Sequence, residues 1–182
     1  MNFFELPLSN AYKIEIDQLS DHRGFFSRLF CAEKFAEIGL PTSWPQCNNS
    51  FTRHKGTIRG LHFQYPPKAE TKLVRCINGV VFDVIVDLRI NSSTFGQWHA
   101  ELLDSNQRSM ICVPNGFAHG FQALTPNAEL LYFVSCPYSP KHEGGLNWAD
   151  PSLSIKWPLE LAKISSRDSK LPTLTEIKHF PE

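Results

Sequence analysis

The sequence predicts one all-β domain, a mostly antiparallel sandwich or filled barrel with a few short helices. Two observations carry this prediction. Thirteen prolines and ten glycines divide the 182 residues into short segments, and most of these segments have the β-branched and aromatic composition of strands. The chain is also 42% hydrophobic and 20% charged, the composition of a globular protein that buries its own core without disulfides or metals. We therefore expect a single domain over residues 1–182.

The clearest strand prediction covers residues 72–88, KLVRCINGVVFDVIVDL. Two β-rich runs flank Asn78-Gly79, the dipeptide that best fits a two-residue type I′ hairpin turn. The second run is apolar at nearly every position, which predicts that both of its faces are covered. One short helix is expected over residues 32–40, with Gly39 as its C-cap. Further strands are expected at residues 11–16, 96–103, 109–113 and 130–136.

Charge and cysteine usage exclude several classes of protein. Eighteen basic residues balance eighteen acidic ones, which argues against a nucleic-acid partner bound by bulk charge. No uncharged apolar run has the ~18 residues of a membrane span, and no basic region precedes the first apolar residues, as a signal peptide requires. Five scattered cysteines, never in C-x-x-C, are expected to be free thiols of a reducing compartment. We expect a cytoplasmic protein with neither a nucleic-acid nor a membrane partner.

Polar residues are concentrated beside the predicted strands. Taken singly, each has a structural explanation: a hydrogen-bonded histidine, a core tyrosine at Tyr132, or a lysine that extends from a strand end. Inside a β-barrel, however, a set of polar side chains must be paired, hydrated or functional. Five such residues alternate with apolar ones on adjoining strands, so a period of two directs them toward one face: Arg59, His62, Gln64, Lys72 and Arg75.

The pattern P-x-G-x-x-H at residues 114–119 resembles the second motif of the cupin fold. Residues 60–79 stand where the first motif is expected. A metal-binding cupin generally has H-x-H there, whereas this chain has His62-Phe63-Gln64, so one imidazole ligand is missing. The sequence thus predicts a cupin-like scaffold without a metal. A metal held by three other residues is the alternative: Gln64, Glu70 and His119.

Eight motifs in order identify a family. They are DHRGFF, Q-x-N-x-S from Gln46, KGTIRGLHFQ, KLVRCINGVVFDVIVDLR, S-x-T-F-G-x-W, PNGFAHGF, EGGLNWADP and I-x-W-P. Together they closely resemble the dTDP-4-dehydrorhamnose 3,5-epimerase family over residues 2–172. The resemblance implies a cupin-type β jelly roll, a homodimer with exchanged N-terminal strands, a nucleotide-sugar substrate, and catalysis without a metal or organic cofactor.

The resemblance also implies roles for individual residues. His62 matches the general base, and Asp168 matches the acid that pairs with it. Lys72 matches the lysine beside the sugar ketone, and Tyr132 matches the proton donor. Further residues occupy positions that bind the diphosphate, the sugar, or the base and its ribose: Arg23, Arg28, Gln46, Asn48, Arg59, His119 and Tyr138.

The proposed chemistry explains these residue types. Inversion of a carbon next to a ketone needs a base on one face of the sugar and an acid on the other. Histidine titrates near neutrality and suits the first task, and a tyrosine hydroxyl can supply the returning proton. A fixed ammonium stabilises the enolate that forms between the two steps. Guanidinium groups bind diphosphate oxygens in a bidentate manner.

One position departs from the family pattern. The signature D-x-R-G-x-F-x-E ordinarily ends in glutamate, but this chain has Arg28. A carboxylate accepts the N3–H of thymine, whereas a guanidinium donates to N3 of cytosine. Arg28 therefore indicates a relaxed or altered base preference, with a CDP-sugar as one candidate, unless it is a tolerated surface substitution.

Other interpretations of the sequence stay open. They are a mono-epimerase that acts on another dTDP- or CDP-4-ketosugar, a non-catalytic cupin that binds sugars or nucleotides, and a metal-dependent cupin. The motifs give no rule for choosing between C3, C5 or both. Residues 173–182 carry no family motif, and we expect them to form a mobile tail.

Overall fold

Two antiparallel sheets packed face to face form the body of the protein in the computed structural model, which describes residues 1–178 and 180. This arrangement confirms the all-β prediction. One short helix, α1 (Ala32–Glu37), and a 3₁₀ turn over Asp168–Lys170 accompany the strands. The strands are β1 (Asn2–Glu5), β2 (Tyr12–Glu15), β3 (Leu19–Asp21), β4 (Gly24–Phe26), β5 (Gln46–Thr52), β6 (Ile58–Gln64), β7 (Lys72–Asn78), β8 (Val80–Asp87), β9 (Trp98–Asp104), β10 (Met110–Val113), β11 (Phe117–Ala123), β12 (Ala128–Val134) and β13 (Glu143–Gly145).

β5 is an edge strand of one sheet, and β13 is an edge strand of the other. One sheet has six strands in the order β1-β2-β10-β7-β12-β5, and the other has five in the order β13-β6-β11-β8-β9. Apolar side chains from both sheets meet between the layers, among them Val74, Ile85 and Ile111, each with no exposed surface. Tyr132 packs against this cluster, so the polar part of the interior borders directly on the core.

The predicted Asn78-Gly79 hairpin is wrong. β7 lies between β10 and β12, whereas β8 lies between β11 and β9 in the other sheet. Of the dipeptide, only Gly79 has a positive φ, at 76°, and a type I′ turn needs two such residues. The chain instead crosses from one layer to the other, and a Cβ at Gly79 would lie 2.3 Å from Oγ1 of Thr125. Composition identified both strands correctly, but the packing of each against other strands decided its partners.

A register shift in β6 controls which side chains face the interior. His119 stands opposite His62, and Phe121 stands opposite Arg59, so β11 advances by two residues while β6 advances by three. Such a bulge changes the direction of the side chains that follow it. Arg59 and His62 consequently share one face, although a regular strand would direct them to opposite faces.

Arg75 does not join this set, which corrects the expectation from alternation. From Lys72 to Cys76 the pairing of β7 with β12 is regular, and Lys72 and Val74 line the interior cavity described below. Because Arg75 is three residues from Lys72, a period of two sends it to the outer face of the six-stranded sheet. The expected common face was therefore wrong for Lys72 and Arg75, which are three residues apart on a regular stretch of β7. Arg59 and His62 share a face only because of the bulge in β6.

The outer face of the six-stranded sheet is partly covered by α1. Phe35 of the helix is fully buried and packs against Ile14, Leu73 and Met110. The helix ends earlier than expected, at Glu37, and Gly39 follows with a φ of 74°, as a glycine after a helix C-terminus commonly does.

The β3–β4 hairpin is separate from both sheets. Its two strands pair with each other and, among the described residues, with no other strand. Leu19, Phe25 and Phe26 are 71%, 44% and 66% exposed. β1 and β2, in contrast, complete the six-stranded sheet of their own chain. Of the N-terminal strands, only β3 and β4 thus lie outside the two main sheets.

The C-terminal segment packs onto the body of the protein. The Leu174 amide donates to Asp150 at 2.6 Å, and Leu174 and Ile177 contact the buried cluster around β8 and β11. Phe180 is 6% exposed and stacks on Tyr65. This packing differs from the expected mobile tail; residues 179 and 181–182 lie outside the described residues. In the part of the chain that is described, no helix is long and apolar enough to cross a membrane.

Candidate active site

A cavity of about 590 Å³ opens between the two sheets. Alternate residues of the strands face it, such as Lys72 and Val74 on β7 and Leu130, Tyr132 and Val134 on β12. Sequence-predicted site residues line it as follows: Gln46, Asn48, Arg59, His62, Lys72, His119, Tyr132, Tyr138 and Asp168.

His62 and Asp168 form a hydrogen-bonded pair on one wall of the cavity. Nε2 of His62 lies 2.9 Å from Oδ1 of Asp168. Because an ionised carboxylate only accepts hydrogen bonds, Nε2 carries the proton and Nδ1 of the neutral ring keeps its lone pair. The imidazole is about one-third exposed, whereas the carboxylate is 7% exposed. The arrangement suits a base whose ring is oriented by a buried acid.

Hydrogen bonds keep the Asp168 carboxylate in its ionised form. The hydroxyl of Ser165 accepts from the Asp168 amide at 2.9 Å and so begins the 3₁₀ turn. Burial by itself raises the pKa of Asp168, but hydrogen bonds from His62 and from the Gly60 amide outweigh burial, and the pKa lies below its usual value. The carboxylate is therefore charged at neutral pH and stabilises a protonated His62.

Lys72 is a buried cation close to this pair. The residue is 7% exposed, and its Nζ donates to the carbonyl oxygen of His62 at 2.8 Å. Nζ also lies 3.2 Å from Oε1 of Glu70. These contacts hold an ammonium at the cavity surface, where it can stabilise a negative oxygen.

Tyr132 stands on the opposite wall. It belongs to β12 of the six-stranded sheet, whereas His62 belongs to β6 of the five-stranded sheet. Burial raises the pKa of the Tyr132 phenol above its ordinary value, Arg59 lowers it, and Glu70 adds to the rise. The hydroxyl is thus protonated at neutral pH, and it belongs to the sheet that faces the sheet of His62.

His119 and Arg59 extend the polar lining. Nε2 of His119 lies 3.0 Å and 2.9 Å from the two carboxylate oxygens of Asp83, which has no exposed surface. Arg59 donates to Oγ1 of Thr52 at 3.0 Å and to the carbonyl of Phe51 at 2.9 Å. These contacts fix both side chains before any ligand arrives, and the guanidinium of Arg59 suits an anion.

The mouth of the cavity has its own polar network. The Tyr138 amide donates to Gln46 at 3.0 Å, and the Tyr138 hydroxyl donates to Glu143 at 2.8 Å. The other oxygen of Glu143 forms an ion pair with Arg167. Nε2 of Gln46 donates to Asn48 at 2.9 Å. Through Glu143, this network links the predicted nucleotide-binding residue Tyr138 to Arg167, which directly precedes Asp168.

Arg23 and Arg28 lie elsewhere in the chain's structure. Arg23 is on the β3–β4 hairpin, with its side chain 79% exposed and in a bidentate contact with Asp21. Arg28 follows the same hairpin and is exposed. Neither residue lines the cavity, so the structure does not bring these two predicted binding residues to the site.

The residues of the metal alternative are used differently. The Gln64 amide nitrogen donates to the carbonyl of Lys68 at 2.9 Å, and its oxygen accepts from the Ser139 amide. His119 uses Nε2 for Asp83. Within residues 1–178 and 180, no three His, Cys, Asp or Glu side chains are grouped to hold a metal ion.

A family model of dTDP-4-dehydrorhamnose 3,5-epimerase matches residues 5–176. The chain belongs to this family. The dTDP-4-dehydrorhamnose 3,5-epimerase of Sinorhizobium fredii is 39% identical, over 97% of this chain and 91% of the relative. The dTDP-4-dehydrorhamnose 3-epimerase of Streptomyces niveus is 37% identical, over 98% of this chain and 86% of the relative.

Solved structures of this epimerase family share the fold. The dTDP-6-deoxy-D-glucose-3,5-epimerase of Legionella pneumophila, in complex with dTDP-4-keto-L-rhamnose, superposes with a TM-score of 0.91. It is 36% identical and covers 97% of this chain and 94% of its own. The predicted family and the predicted cupin-like fold are confirmed.

Sequence reasoning missed several residues that the epimerase fold brings to the site. Glu143 opens the motif EGGLNWADP, and Arg167 directly precedes Asp168, so proximity to known positions was the available signal. Asp83 is a lone charge in the apolar run of β8, and a buried charge of that kind must have a partner. Glu70 was considered only as a metal ligand.

Proposed function

We propose that the protein epimerises C3 and C5 of dTDP-4-dehydro-6-deoxy-D-glucose to give dTDP-4-dehydro-L-rhamnose. The single observation that carries this proposal is the placement of His62 and Tyr132 on opposite walls of one cavity, with Lys72 beside them. A base and an acid on opposite sides of a sugar are what inversion requires. Family membership supports the same substrate class.

The reaction proceeds by proton removal and return. Nδ1 of His62 takes the proton from a carbon next to the C4 ketone; the C–H electron pair forms a double bond to C4, and the carbonyl π pair moves onto the C4 oxygen of the enolate. The Tyr132 hydroxyl then gives its proton to the opposite face of that carbon as the ketone re-forms. His62 is left protonated and Tyr132 ionised, and proton exchange with water resets both. Each positioned group contributes ~10²–10⁴-fold to the rate.

Lys72 stabilises the intermediate. The enolate oxygen carries the negative charge between the two proton transfers, and a fixed ammonium in a water-poor cavity lowers its free energy. Asp168 stabilises the imidazolium that forms at the same moment. The two charges created by the first step thus each have a partner that is already in place.

The rest of the cavity binds the nucleotide. Arg59 and His119 bind the diphosphate and the sugar, with the guanidinium of Arg59 as the cationic donor. Gln46, Asn48 and Tyr138, at the mouth, contact the base and its ribose. Their mutual hydrogen bonds fix their directions in advance, which reduces the entropy lost on binding.

The functional unit in this proposal is a homodimer in which the β3–β4 hairpin is exchanged. An isolated two-stranded hairpin is marginally stable in water, and the exposed Leu19, Phe25 and Phe26 need a cover. Exchange also explains Arg23 and Arg28, which then reach the nucleotide in the partner's cavity. The cytoplasmic location expected from the sequence remains part of the proposal and is supported by five free thiols.

Arg28 determines the base preference within this proposal. A guanidinium has donors only and so matches the N3 acceptor of cytosine better than the N3–H of thymine. We expect the wild type to bind CDP at least as well as dTDP, and Arg28→Glu to favour dTDP by about tenfold. Calorimetric titration of both nucleotides checks this, and equal affinities in both proteins contradict it.

Proton NMR in D₂O tests the function. Incubation with dTDP-4-dehydro-6-deoxy-D-glucose should introduce deuterium at C3 and C5 and form the L-lyxo product, trapped by a coupled reductase. His62→Asn is the control for spontaneous exchange. Exchange at one carbon only makes the protein a mono-epimerase, the second candidate, which the relative from Streptomyces niveus favours. No exchange with either the dTDP or the CDP substrate rejects the epimerase.

A further inference from the structure

Glu70 is a buried carboxylate in the cavity, and the reaction described above gives it no role. It precedes β7 by two residues, and its side chain is 6% exposed. Oε1 lies 3.2 Å from Nζ of Lys72, whereas Oε2 has no hydrogen-bond partner in the described part of the chain. Leaving one oxygen of a buried carboxylate unpartnered costs free energy. Stability by itself therefore does not account for this residue.

The contacts of Lys72 indicate what Glu70 does. An ammonium has three N–H donors. The His62 carbonyl accepts one at 2.8 Å, Glu70 occupies a second direction at 3.2 Å, and no third partner exists among residues 1–178 and 180. The remaining donor is available to an oxygen in the cavity. Two acceptors fix an ammonium far better than one, because a lysine side chain otherwise rotates about several bonds.

We propose that Glu70 is a positioning residue that acts through Lys72, holding the ammonium so that its free N–H meets the enolate oxygen at C4 of the sugar. This inference rests on the proposed function. The enolate forms only during the reaction, so correct direction of the donor lowers the barrier more than it strengthens substrate binding. A variant with misdirected Lys72 loses kcat and keeps its KM.

Two substitutions distinguish a role of Glu70 in positioning Lys72 from a role in packing alone. Glu70→Ala removes the acceptor, and we expect kcat to fall by about tenfold or more with KM within about twofold of the wild type. Glu70→Gln keeps an oxygen at the position of Oε1 and has almost the same volume. It should recover kcat to within about threefold of the wild type, since a neutral amide oxygen still accepts from Lys72.

A tyrosine titration gives a readout that packing does not move. Burial and then Glu70 raise the pKa of Tyr132, and Arg59 opposes them. With the carboxylate neutralised in Glu70→Gln, the Tyr132 phenol should titrate at lower pH, and the alkaline limb of kcat/KM should move with it. Both substitutions leave in place the other titratable or charged residues that line the cavity with Tyr132: Arg59, His62, Lys72, His119, Cys136, Tyr138, Glu143, Arg167 and Asp168.

Tyrosine labelled with ¹³C at Cζ makes this titration visible, since the chain has only four tyrosines and Tyr132→Phe assigns the resonance. Glu101→Gln is the matched control, because Glu101 also pairs with a lysine, Lys13 at 3.3 Å, but does not line the cavity. It should change neither the kinetics nor the titration.

The outcomes distinguish this proposal from the function on which it rests. Wild-type kcat in Glu70→Ala, or a Tyr132 midpoint that does not move in Glu70→Gln, overturns the role of Glu70 while the wild type still exchanges deuterium. A kcat loss that Glu70→Gln does not recover overturns the positioning role as well. Absence of exchange in the wild type rejects the epimerase function, and the role of Glu70 with it.

Discussion

Nε2 of His62 lies 2.9 Å from Oδ1 of Asp168, although 106 positions separate the two residues in the chain. β6 supplies the histidine, and the 3₁₀ turn near the C-terminus supplies the aspartate. The second oxygen of Asp168 accepts from the Gly60 amide at 3.1 Å, so the carboxylate is held at both oxygens. The C-terminal segment therefore contributes to the candidate site and not only to packing.

Replacement of the proposed base should abolish turnover. His62→Asn removes the lone pair that takes the proton but keeps a polar side chain at a partly exposed position. We expect kcat to fall about 10³-fold or more, measured as deuterium incorporation by NMR, with an unchanged Tm. A folded His62→Asn protein that exchanges at nearly the wild-type rate removes His62 from the mechanism.

Loss of the orienting acid should be less severe. Asp168→Ala leaves the imidazole in place without the group that fixes its ring and stabilises its charged form, so kcat should fall by about 10²-fold. Single-turnover rates of the two variants, measured side by side, give the ranking. A greater loss in Asp168→Ala than in His62→Asn contradicts the assignment of base and orienter.

Asp87 should make stability depend on pH. The carboxyl is wholly buried; burial raises its pKa, but contacts with Arg89, Ser92 and Thr94 prevail and hold the pKa below its usual 3.8. Its contribution is thus complete above pH 3.8 and lost as the pH falls through the lower folded-state pKa. Asp87→Asn should lower the free energy of unfolding by about 3 kcal/mol at pH 7.

Denaturant titrations of Asp87→Asn and wild type at several pH values measure this difference. It should shrink as the pH falls through the lowered pKa of Asp87 in the folded protein, because wild-type Asp87 then takes up a proton. A difference between the two proteins that stays constant down to that range contradicts the assignment.

The exposed hairpin provides a test of the dimer. Phe26 is 66% exposed, so Phe26→Glu should leave the folded monomer intact while it disrupts an apolar interface. Sedimentation velocity should give a dimer for the wild type and a monomer for the variant, and the monomer should lose activity with the contribution of Arg23. Leu102→Glu, a change at a 53% exposed residue of β9, is the matched control and should stay dimeric. A monomeric wild type rejects the exchange.

Local sequence was sufficient to predict six of the thirteen strands, β2, β7, β8, β9, β10 and β12. Of the eleven site residues named from the sequence, nine line the cavity. A strand is encoded by neighbouring residues, through β-branched composition and turn residues at its ends. His62 and Lys72 were identifiable because each lies within a family motif, whereas Tyr132 was the polar residue of the otherwise apolar run 130–134. These signals involve residues only a few positions apart, so they can be recognised without knowledge of the fold.

Long-range packing decided which strands pair with each other and therefore which side chains share a face. Asn78-Gly79 lies between the strands β7 and β8, but these strands belong to different sheets. The burial of β8 between β11 and β9 outweighs the local preference for a hairpin. The bulge that brings Arg59 to the face of His62 also depends on pairing with β11. Alternation along one strand cannot reveal it.

The sequence by itself thus predicted the all-β class, the family and the candidate reacting side chains, since each of these predictions rests on short segments of neighbouring residues. Only the tertiary structure placed His62 and Tyr132 on opposite walls and paired Lys72 with Glu70 at 3.2 Å. Distances between side chains on different strands follow from sheet register and layer packing, and those are set by the whole core at once.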